Sequence, residues 1–277
     1  MRVLTDNGKL EERAKWVRRQ VFEMIIRAGR GHMGGSFSCS DILVALYHGG
    51  VLRVDPNDPG RAERDRFIFS KGHSVEALYA VLADRGFFAR DELTTYGSDG
   101  SMLGGHPDNR VPGIEVSTGS LGHGLGIAAG LALSAKLTRE SHMIYALLGD
   151  GECYEGSVWE SAMFAAHHEL NNLVAIVDRN GQVTLDYTER INRLDPFVDK
   201  WKAFGWDVTV VDGHSFEELL GALKALATRR SQKPLTLIAN TVKGKGVYFM
   251  EGDLNWHHNV PRGDDLELAR KELGLDS

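Results

Sequence analysis

Two short apolar runs, each followed at once by polar residues, constrain the fold of this chain more than any other feature. The first run, 143–148, precedes a Gly-Asp-Gly-Glu tetrapeptide at 149–152, and the second, 173–177, precedes Asp178 and Asn180. Runs of this length are typical of strands that are buried on both faces of a parallel sheet. Because open α/β sheets bind ligands at the carboxyl ends of their strands, we expect these polar residues at one ligand-binding edge.

The residue types at the two strand ends suit a hard cation. Asp150 would offer a carboxylate and Asn180 a carboxamide oxygen, which are ligands for Mg²⁺ or Ca²⁺ and not for zinc. Gly149 and Gly151 would let the backbone turn tightly and approach a ligand closely. Asp and Asn are also ordinary turn formers and helix caps, so these residues alone leave both interpretations open.

The composition of the chain disfavours several classes of protein. The chain has 277 residues, 42% hydrophobic and 25% charged, which predicts an ordinary globular core. A net charge of −6 gives no broad attraction to nucleic acid or to an anionic membrane. Cys39 and Cys153 form neither a disulfide framework nor a metal motif, which favours the reducing cytoplasm. No membrane span and no signal peptide are predicted.

Predicted strands and helices alternate along the chain. Further strands are predicted at 65–70, 206–211 and 235–239, and helices at 10–28, 78–82, 125–137, 155–170, 215–227 and from 264 onward. After a loop at Gly31 and His32, another helix is predicted to be capped by Ser40 and Asp41. The alternation predicts an α/β fold, a doubly wound and mostly parallel sheet flanked by helices, in a single domain over 1–277.

Two glycine-rich segments fail the tests for nucleotide-binding motifs. Residues 29–34 match GxGxxG, but they follow a predicted helix, whereas a dinucleotide fingerprint follows a strand. Residues 243–246 lack the spacing of a P-loop. A nicotinamide-dependent dehydrogenase is therefore disfavoured.

A set of histidines is predicted at strand ends and helix starts, namely His32, His73, His106, His123 and His257. One such histidine is ordinarily a loop residue without a catalytic role. Together they are predicted to converge on the edge that carries Asp150 and Asn180, where imidazoles suit a polyhydroxylated substrate and proton transfer near neutral pH. The histidines predicted to be structural are His48, His142, His167 and His168.

The order of these motifs resembles the N-terminal half of transketolase over nearly the whole chain. The chain is most similar to the separately encoded small subunit of split transketolases. The motifs that carry the resemblance are Gly31-His32, Ser70-Lys71-Gly72-His73, Gly105-His106-Pro107, residues 117–122, the Gly149-Asp150-Gly151…Asn180 pair of strand ends and residues 243–246. The resemblance implies the thiamine diphosphate-binding fold. It also implies transfer of a two-carbon ketol unit from a ketose phosphate to an aldose acceptor, with chemistry supplied by the cofactor.

The resemblance further implies individual roles. Mg²⁺, which Ca²⁺ or Mn²⁺ can replace, would be bound by Asp150, Asn180 and the carbonyl of Gln182. Thiamine diphosphate would contact His73, Gly119, Ser120, Leu121, Gly149, Asp150, Gly151, Glu152, Asn180 and His257. The catalytic set would comprise His32, His106 and His257 facing the donor sugar, and His73 near the diphosphate and the reaction centre. Glu155 and Glu160 would belong to a carboxylate network between subunits.

A second chain is also implied. In this family a glutamate from a further domain activates the cofactor, and that domain supplies much of the sugar-phosphate pocket. The sequence ends at Ser277, before any such domain. We therefore expect the pyrimidine-type and C-terminal domains on a separate C-terminal transketolase subunit, in an α₂β₂ assembly that acts on sugar phosphates.

Three departures from the family pattern leave the substrate open between ordinary pentose phosphates and a branched or modified ketose phosphate. Met33 replaces a usual proline, and His123 replaces a usual glutamine. Residues 182–187 are one residue longer than usual, so either Val183 or Leu185 could pack on the thiazolium ring.

Related enzymes remain as alternatives. Parts of the pattern also fit a 1-deoxyxylulose-5-phosphate synthase, the alpha subunit of a 2-oxo acid dehydrogenase and a non-catalytic cofactor-binding subunit. The histidine set argues against the dehydrogenase, because a 2-oxo acid offers fewer hydroxyls to bind. The presence of Asp150, Asn180 and Glu155 argues against a non-catalytic role.

Overall fold

A computed structural model describes residues 3–275 and shows a five-stranded sheet in which all neighbouring strands are parallel. The strands are β1 (Arg66–Phe69), β2 (Ile144–Gly149), β3 (Leu173–Arg179), β4 (Asp207–Asp212) and β5 (Leu235–Asn240). Their spatial order is β1-β2-β3-β5-β4, so β5 lies between β3 and β4 although it is the last of the five in sequence. The predicted strands and the predicted α/β fold are confirmed, and all five carboxyl ends lie at one edge.

Helices cover both faces of this sheet. They are α1 (Asn7–Ala28), α2 (Met33–His48), α3 (Val75–Arg85), α4 (Gly124–Thr138), α5 (Gly156–His167), α6 (Thr188–Ile191), α7 (Phe197–Ala203), α8 (Phe216–Lys224) and α9 (Asp264–Glu272). One hydrophobic core joins α1, α2, α3 and α8 to one face, and a second joins α4, α5 and α7 to the other. Because both faces are covered, the strands have no polar face, which explains their uninterrupted apolar sequences.

The end of α1 and the start of α8 follow the predicted signals. Helix α1 ends at Gly29 in a left-handed conformation, but it begins three residues before the predicted start, where Asp6 accepts a hydrogen bond from the Lys9 N–H at 3.0 Å. Ser215 accepts from the Glu218 N–H at 3.3 Å and begins α8 as predicted. Among residues 3–275, no helix has the length and apolar character needed to cross a membrane.

The start of α2 corrects one prediction. Ser40 and Asp41 do not cap a helix, because α2 already begins at Met33 and both residues lie within it. The Asp41 carboxylate instead pairs with Arg18, and the Ser40 hydroxyl donates to the carbonyl of Ser36 at 2.8 Å. Every residue of α2 is buried, so tertiary packing outweighs the low helix propensity of the glycines in its first turn.

Candidate active site

The carboxyl ends of β2 and β3 bring Asp150 and the loop after β3 together. Gly149 is paired with Asp178 in the parallel ladder, and the Asp150 N–H lies 3.3 Å from the Asp178 carbonyl. The Asp150 side chain accepts from the N–H of Gly151 at 2.8 Å and from the N–H of Gly181 at 2.7 Å. Its carboxylate therefore fixes the Gly-Asp-Gly turn against the end of the neighbouring strand.

The three predicted metal ligands, Asp150, Asn180 and Gln182, line one cavity. Asn180 Oδ1 accepts from the Gln182 N–H at 3.2 Å. The side-chain Oε1 of Gln182 is buried without a hydrogen-bond partner in the described part of the chain. Burial, and then the nearby Asp178, raise the pKa of Asp150 to about 6, a cost that a bound cation would offset. Within residues 3–275 no three His, Cys, Asp or Glu are grouped so that they could hold a metal ion.

The cavity has a volume of about 390 Å³ and is lined by both polar and apolar side chains. Its charged and amide lining residues include Lys71, Asp150, Asn180 and Lys243. The apolar lining comprises Leu121, Val183, Leu185 and Ile191. A charged diphosphate joined to flat rings needs both kinds of lining, so the residues present fit thiamine diphosphate with a divalent cation.

Lys71 is a buried residue of the cavity that the sequence-based assignment missed. It is buried, forms an ion pair with Asp178 and donates to the Gly35 carbonyl at 3.0 Å. Asp178 also accepts from Ser38 Oγ at 2.6 Å and from Thr241 Oγ1. Although burial acts in the opposite direction, the Asp178 carboxylate raises the pKa of Lys71, which therefore remains charged. A lysine directly before Gly-His at a strand end was the available signal.

Lys243 is the second buried lysine of the cavity, and it contacts an imidazole. Its Nζ lies 2.6 Å from Nδ1 of His257, whose Nε2 lies 3.1 Å from Thr184 Oγ1. Burial, and then the charge of Lys71, lower the pKa of Lys243 to about 8. Burial, and then the Lys243 charge, lower the pKa of His257 to about 3. His257 is therefore neutral at pH 7, with Nδ1 accepting from Lys243 and Nε2–H donating to Thr184.

Four of the five converging histidines predicted from the sequence form a cluster. Ring centroids are 5.1 Å apart for His32 and His73, 4.6 Å for His73 and His106, and 5.6 Å for His32 and His257. His258, which the sequence-based set omitted, lies 4.7 Å from His32. Burial, and then the neighbouring imidazoles, lower the pKa of His32 to about 3 and also lower that of His73. Neutral imidazoles can both donate and accept hydrogen bonds with hydroxyl groups.

The fifth histidine, His123, lies apart from this cluster. It is exposed at the start of α4, and its Nδ1 lies 3.3 Å from the Leu121 carbonyl. His167 and His168 lie at the C-terminal end of α5 rather than inside a longer helix as predicted. His48 is buried and bonded to Asp84 at 2.7 Å, as expected for a structural histidine.

The glycine-rich segment at 119–122 approaches the cluster closely. Gly119 has a φ of +148°, and a Cβ added there would lie 2.9 Å from Cδ2 of His106. Leu121 lines the cavity, whereas Ser120 is exposed. Glu152 lines the cavity but is already satisfied, since it accepts from Ser70 Oγ and from the N–H groups of Gly122 and Gly149 at 2.9 and 3.1 Å.

The remaining predicted site residues differ in their relation to the cavity. Glu155 lines it just before α5 and is exposed, whereas Glu160, which is exposed on α5, does not line it. Val183 lies against Gly151, and Leu185 is 82% exposed. Both residues border the cavity.

Known proteins are similar to this chain in both sequence and fold. A family model described as "Transketolase, thiamine diphosphate binding domain" matches residues 10–277. An apulose-4-phosphate transketolase subunit of Phocaeicola vulgatus is 44% identical over 264 residues, which are 95% of this chain and 93% of the relative. A 6-deoxy-6-sulfo-D-fructose transketolase subunit of Clostridium sp. is also 44% identical, over 95% of this chain and 96% of the relative.

Longer proteins match over part of their length. Human transketolase is 40% identical over 249 residues, which are 90% of this chain and 39% of the human protein. The crystal structure of transketolase from Campylobacter jejuni has a TM-score of 0.90 and 30% identity, covering 98% of this chain and 43% of that one. The chain thus spans about two fifths of these longer proteins and nearly all of the separately encoded subunits.

Proposed function

The chain belongs to the transketolase family, and we propose that it is the thiamine diphosphate-binding N-terminal subunit of a split transketolase. The reaction would move a two-carbon ketol unit from a ketose phosphate to an aldose acceptor. One observation carries this proposal: a cavity lined by oxygen donors and two buried lysines adjoins a cluster of imidazoles. When bound, thiamine diphosphate supplies the capacity to cleave and form the carbon–carbon bond.

The polar residues that line the cavity would hold the cofactor diphosphate and its metal. We assign Mg²⁺, replaceable by Ca²⁺ or Mn²⁺, to Asp150, Asn180 and the carbonyl of Gln182. Lys71 and Lys243 would neutralise the diphosphate, and His73 would donate a hydrogen bond to it. His257 would act on the diphosphate through Lys243, from which its Nδ1 accepts. Bringing the anion to two cations inside a buried cavity strengthens each of these interactions.

Among the apolar residues that line the cavity, Leu121 and Val183 would contact the cofactor rings. We favour Val183 over Leu185 for the thiazolium contact, because Val183 lies against Gly151 while Leu185 is directed mostly toward solvent. Gly119 and Ser120 would place the backbone of their segment beside the same rings.

The imidazole cluster would bind the hydroxylated end of the donor sugar. Since His32 is neutral at pH 7, its ring can donate and accept hydrogen bonds with sugar hydroxyls. His257 would lie beside the same hydroxyls. His106 would contact the same end of the sugar. Neutral imidazoles attract an anion weakly, so we assign the anionic end of the substrate mainly to the partner subunit.

A branched or modified ketose is our proposed substrate class. The relatives act, by their names, on apulose-4-phosphate and on 6-deoxy-6-sulfo-D-fructose, which are not ordinary pentose phosphates. The extended loop at 182–187, which includes the exposed Leu185, provides a site where such specificity could differ.

The partner would cover α5. This helix presents Glu160, Met163 and Phe164 on one exposed face, with Met163 54% and Phe164 40% exposed. Apolar side chains next to carboxylates are suited to an interface that also links active sites. The relatives that match over their whole length are themselves named as subunits, and we propose an α₂β₂ assembly in the cytoplasm. Residues 1–277 would form its single diphosphate-binding domain, and the pyrimidine-type and C-terminal domains would lie on the partner.

A ketol-transfer assay with Mg²⁺ and thiamine diphosphate tests this function. The purified chain would be assayed alone and with the product of the neighbouring gene, against ordinary, branched and sulfonated ketoses. Activity is expected in the mixture and absent from the isolated chain. Turnover by the isolated chain would contradict the need for a partner, and cofactor binding without any transfer would contradict transketolase chemistry.

A variant of the proposed metal site tests the assignment of the cation through cofactor binding. Asp150→Ala should abolish Mg²⁺-dependent binding of thiamine diphosphate and leave the circular dichroism spectrum unchanged. Asp186→Ala is the matched control in the neighbouring loop, because its side chain bonds to the Tyr187 N–H and pairs with Arg190. Equal cofactor affinity in the Asp150 variant and the wild type would refute the metal assignment.

A further inference from the structure

A fully buried carboxyl group lies behind the imidazole cluster and outside the cofactor cavity. Glu76, in the first turn of α3, is 0% exposed. Its Oε1 accepts from the His32 N–H at 3.1 Å and from the Tyr96 hydroxyl at 2.7 Å. Its Oε2 accepts from Ser36 Oγ at 2.8 Å. Three donors from two other segments thus converge on one side chain.

Each of these contacts leads to a segment that carries a clustered histidine. His73 lies three residues earlier on the same segment. His32 is bonded directly through its backbone N–H. Tyr96 belongs to the segment that leads to His106, and the Tyr79 hydroxyl on α3 donates to the His106 carbonyl at 3.0 Å. The start of α3 therefore joins all three histidine-bearing segments.

The carboxyl oxygens of Glu76 are hydrogen-bonded although they are buried. Burial raises the pKa of Glu76, and its hydrogen bonds with Tyr96, Ser36 and His32 act in the opposite direction. His32 is the N-cap residue of α2 and makes no side-chain capping bond there, so the carboxylate of Glu76 takes that role. The space is also tight, because a Cβ added at Gly31 would lie 2.7 Å from Oε1.

We propose that Glu76 is a positioning residue that sets the orientation of His32 and His106 toward the donor sugar. Its hydrogen bonds go to the histidine-bearing segments and not to the predicted metal ligands, so its effect falls on binding of the sugar and not on binding of the cofactor. The identity of the ligand as a ketose rests on the proposed function. The orientation of the imidazoles does not, and it can be measured without turnover.

Histidine side-chain NMR tests the positioning role directly. In ¹⁵N-labelled protein, Glu76→Ala should shift the ring signals of His32 and His106 and leave those of His167 and His168 unchanged. Glu76→Gln should restore most of the wild-type signals, because the amide oxygen can accept from the His32 N–H while the amide nitrogen donates to Ser36 Oγ. Asp65→Asn is the control, since Asp65 is an equally buried carboxylate before β1, bonded to Arg53 and the Met143 N–H.

Kinetics with the partner subunit provide the second readout. Glu76→Ala should lower kcat/KM for the donor about 10- to 100-fold, mainly through KM, because reacting groups are misplaced. The affinity for thiamine diphosphate should stay within about twofold of the wild type, and Glu76→Gln should recover most of the loss.

Several results would overturn the proposal. Unchanged ring signals and donor KM in Glu76→Ala would do so, as would equal shifts of all histidines together with an equal loss of cofactor affinity. If Glu76→Ala does not fold, Tyr96→Phe decides, because it removes one donor to Oε1 and should shift the His32 signals to a smaller extent. If no ketose is converted by the mixture, the proposed function fails, while the NMR result still decides the role of Glu76.

Discussion

The reactivity of the candidate site depends on which buried groups keep a charge. Lys71 and Lys243 line the same cavity, yet the first is paired with Asp178 and the second contacts a neutral imidazole. The carboxylate raises the pKa of Lys71, whereas burial lowers that of Lys243 to about 8. We therefore expect the protonation of Lys243, and not that of Lys71, to change when an anion binds.

This difference predicts proton uptake when the cofactor binds. At pH 8 about half of the Lys243 side chains are neutral in the free protein, and a diphosphate favours the ammonium form, so binding should take up a proton. Affinity for thiamine diphosphate should fall as the pH rises above about 8, by less than about tenfold per pH unit. Calorimetry at pH 8 in buffers of different ionisation enthalpy measures the uptake.

A matched pair of lysine variants isolates the effect. Lys243→Met should lose the proton uptake and bind the cofactor more weakly. Lys245→Met, two residues away, should retain both, because Lys245 is partly exposed and paired with Glu251 at 3.4 Å. Equal proton uptake in the wild type and the Lys243 variant would exclude Lys243 as its source.

The sequence predicted the site residues that follow strand ends. It missed the residues whose roles depend on contacts between positions far apart in the chain. Asp150 and Asn180 could be paired because parallel strands place their carboxyl ends together. The contacts of Glu76 with His32 and of Lys71 with Asp178 join positions 44 and 107 residues apart. No local pattern encodes such contacts, since they depend on how the intervening elements pack.

Among the elements, the segment at 117–122 is held between β1 and α4. Thr118 Oγ1 donates to the Phe69 carbonyl at 2.7 Å, and Gly119 lies against His106.

Packing between elements also limits what the sequence can predict about their bounds. The five strands could be predicted from apolar runs alone, whereas the start of α2 could not, because its glycines are helical only through burial.

A single methyl group in this segment should disturb the site. Gly119→Ala would place its Cβ against His106 in a backbone conformation that favours glycine, and it should lower the free energy of unfolding by about 1–3 kcal/mol. The donor KM should rise as His106 moves. Chemical denaturation and donor titrations measure these effects.

The control for that variant lies on another element. Gly221→Ala on α8 meets nothing within 4 Å, and it should leave activity unchanged while stabilising the fold by about 0.5–1 kcal/mol. A Gly119 variant with the stability and donor KM of the wild type would show that the close approach to His106 is unimportant.

For the whole molecule, the exposed face of α5 is the surface we assign to the partner subunit. Phe164→Glu should weaken association about tenfold or more, because a charge would replace a buried aromatic anchor. Thermal unfolding of the isolated chain should change little, since Phe164 is already partly exposed. Sedimentation velocity with the partner subunit measures the association.

An exposed apolar residue elsewhere serves as the comparison. Leu268→Glu on α9 has a similar exposure, 43%, and should leave association unchanged. If both variants associate as the wild type does, the partner binds a different face, and the prediction for α5 is wrong.

The position of β5 has a consequence for synthesis on the ribosome. The strand emerges last of the five but lies inside the sheet, so β4 has no neighbouring strand until residues 235–240 have been made. The cavity likewise needs Lys243 and His257, which follow β5. A nascent chain released early would thus expose a sheet edge and lack cofactor, and cofactor loading would mark the chains whose translation has passed this point.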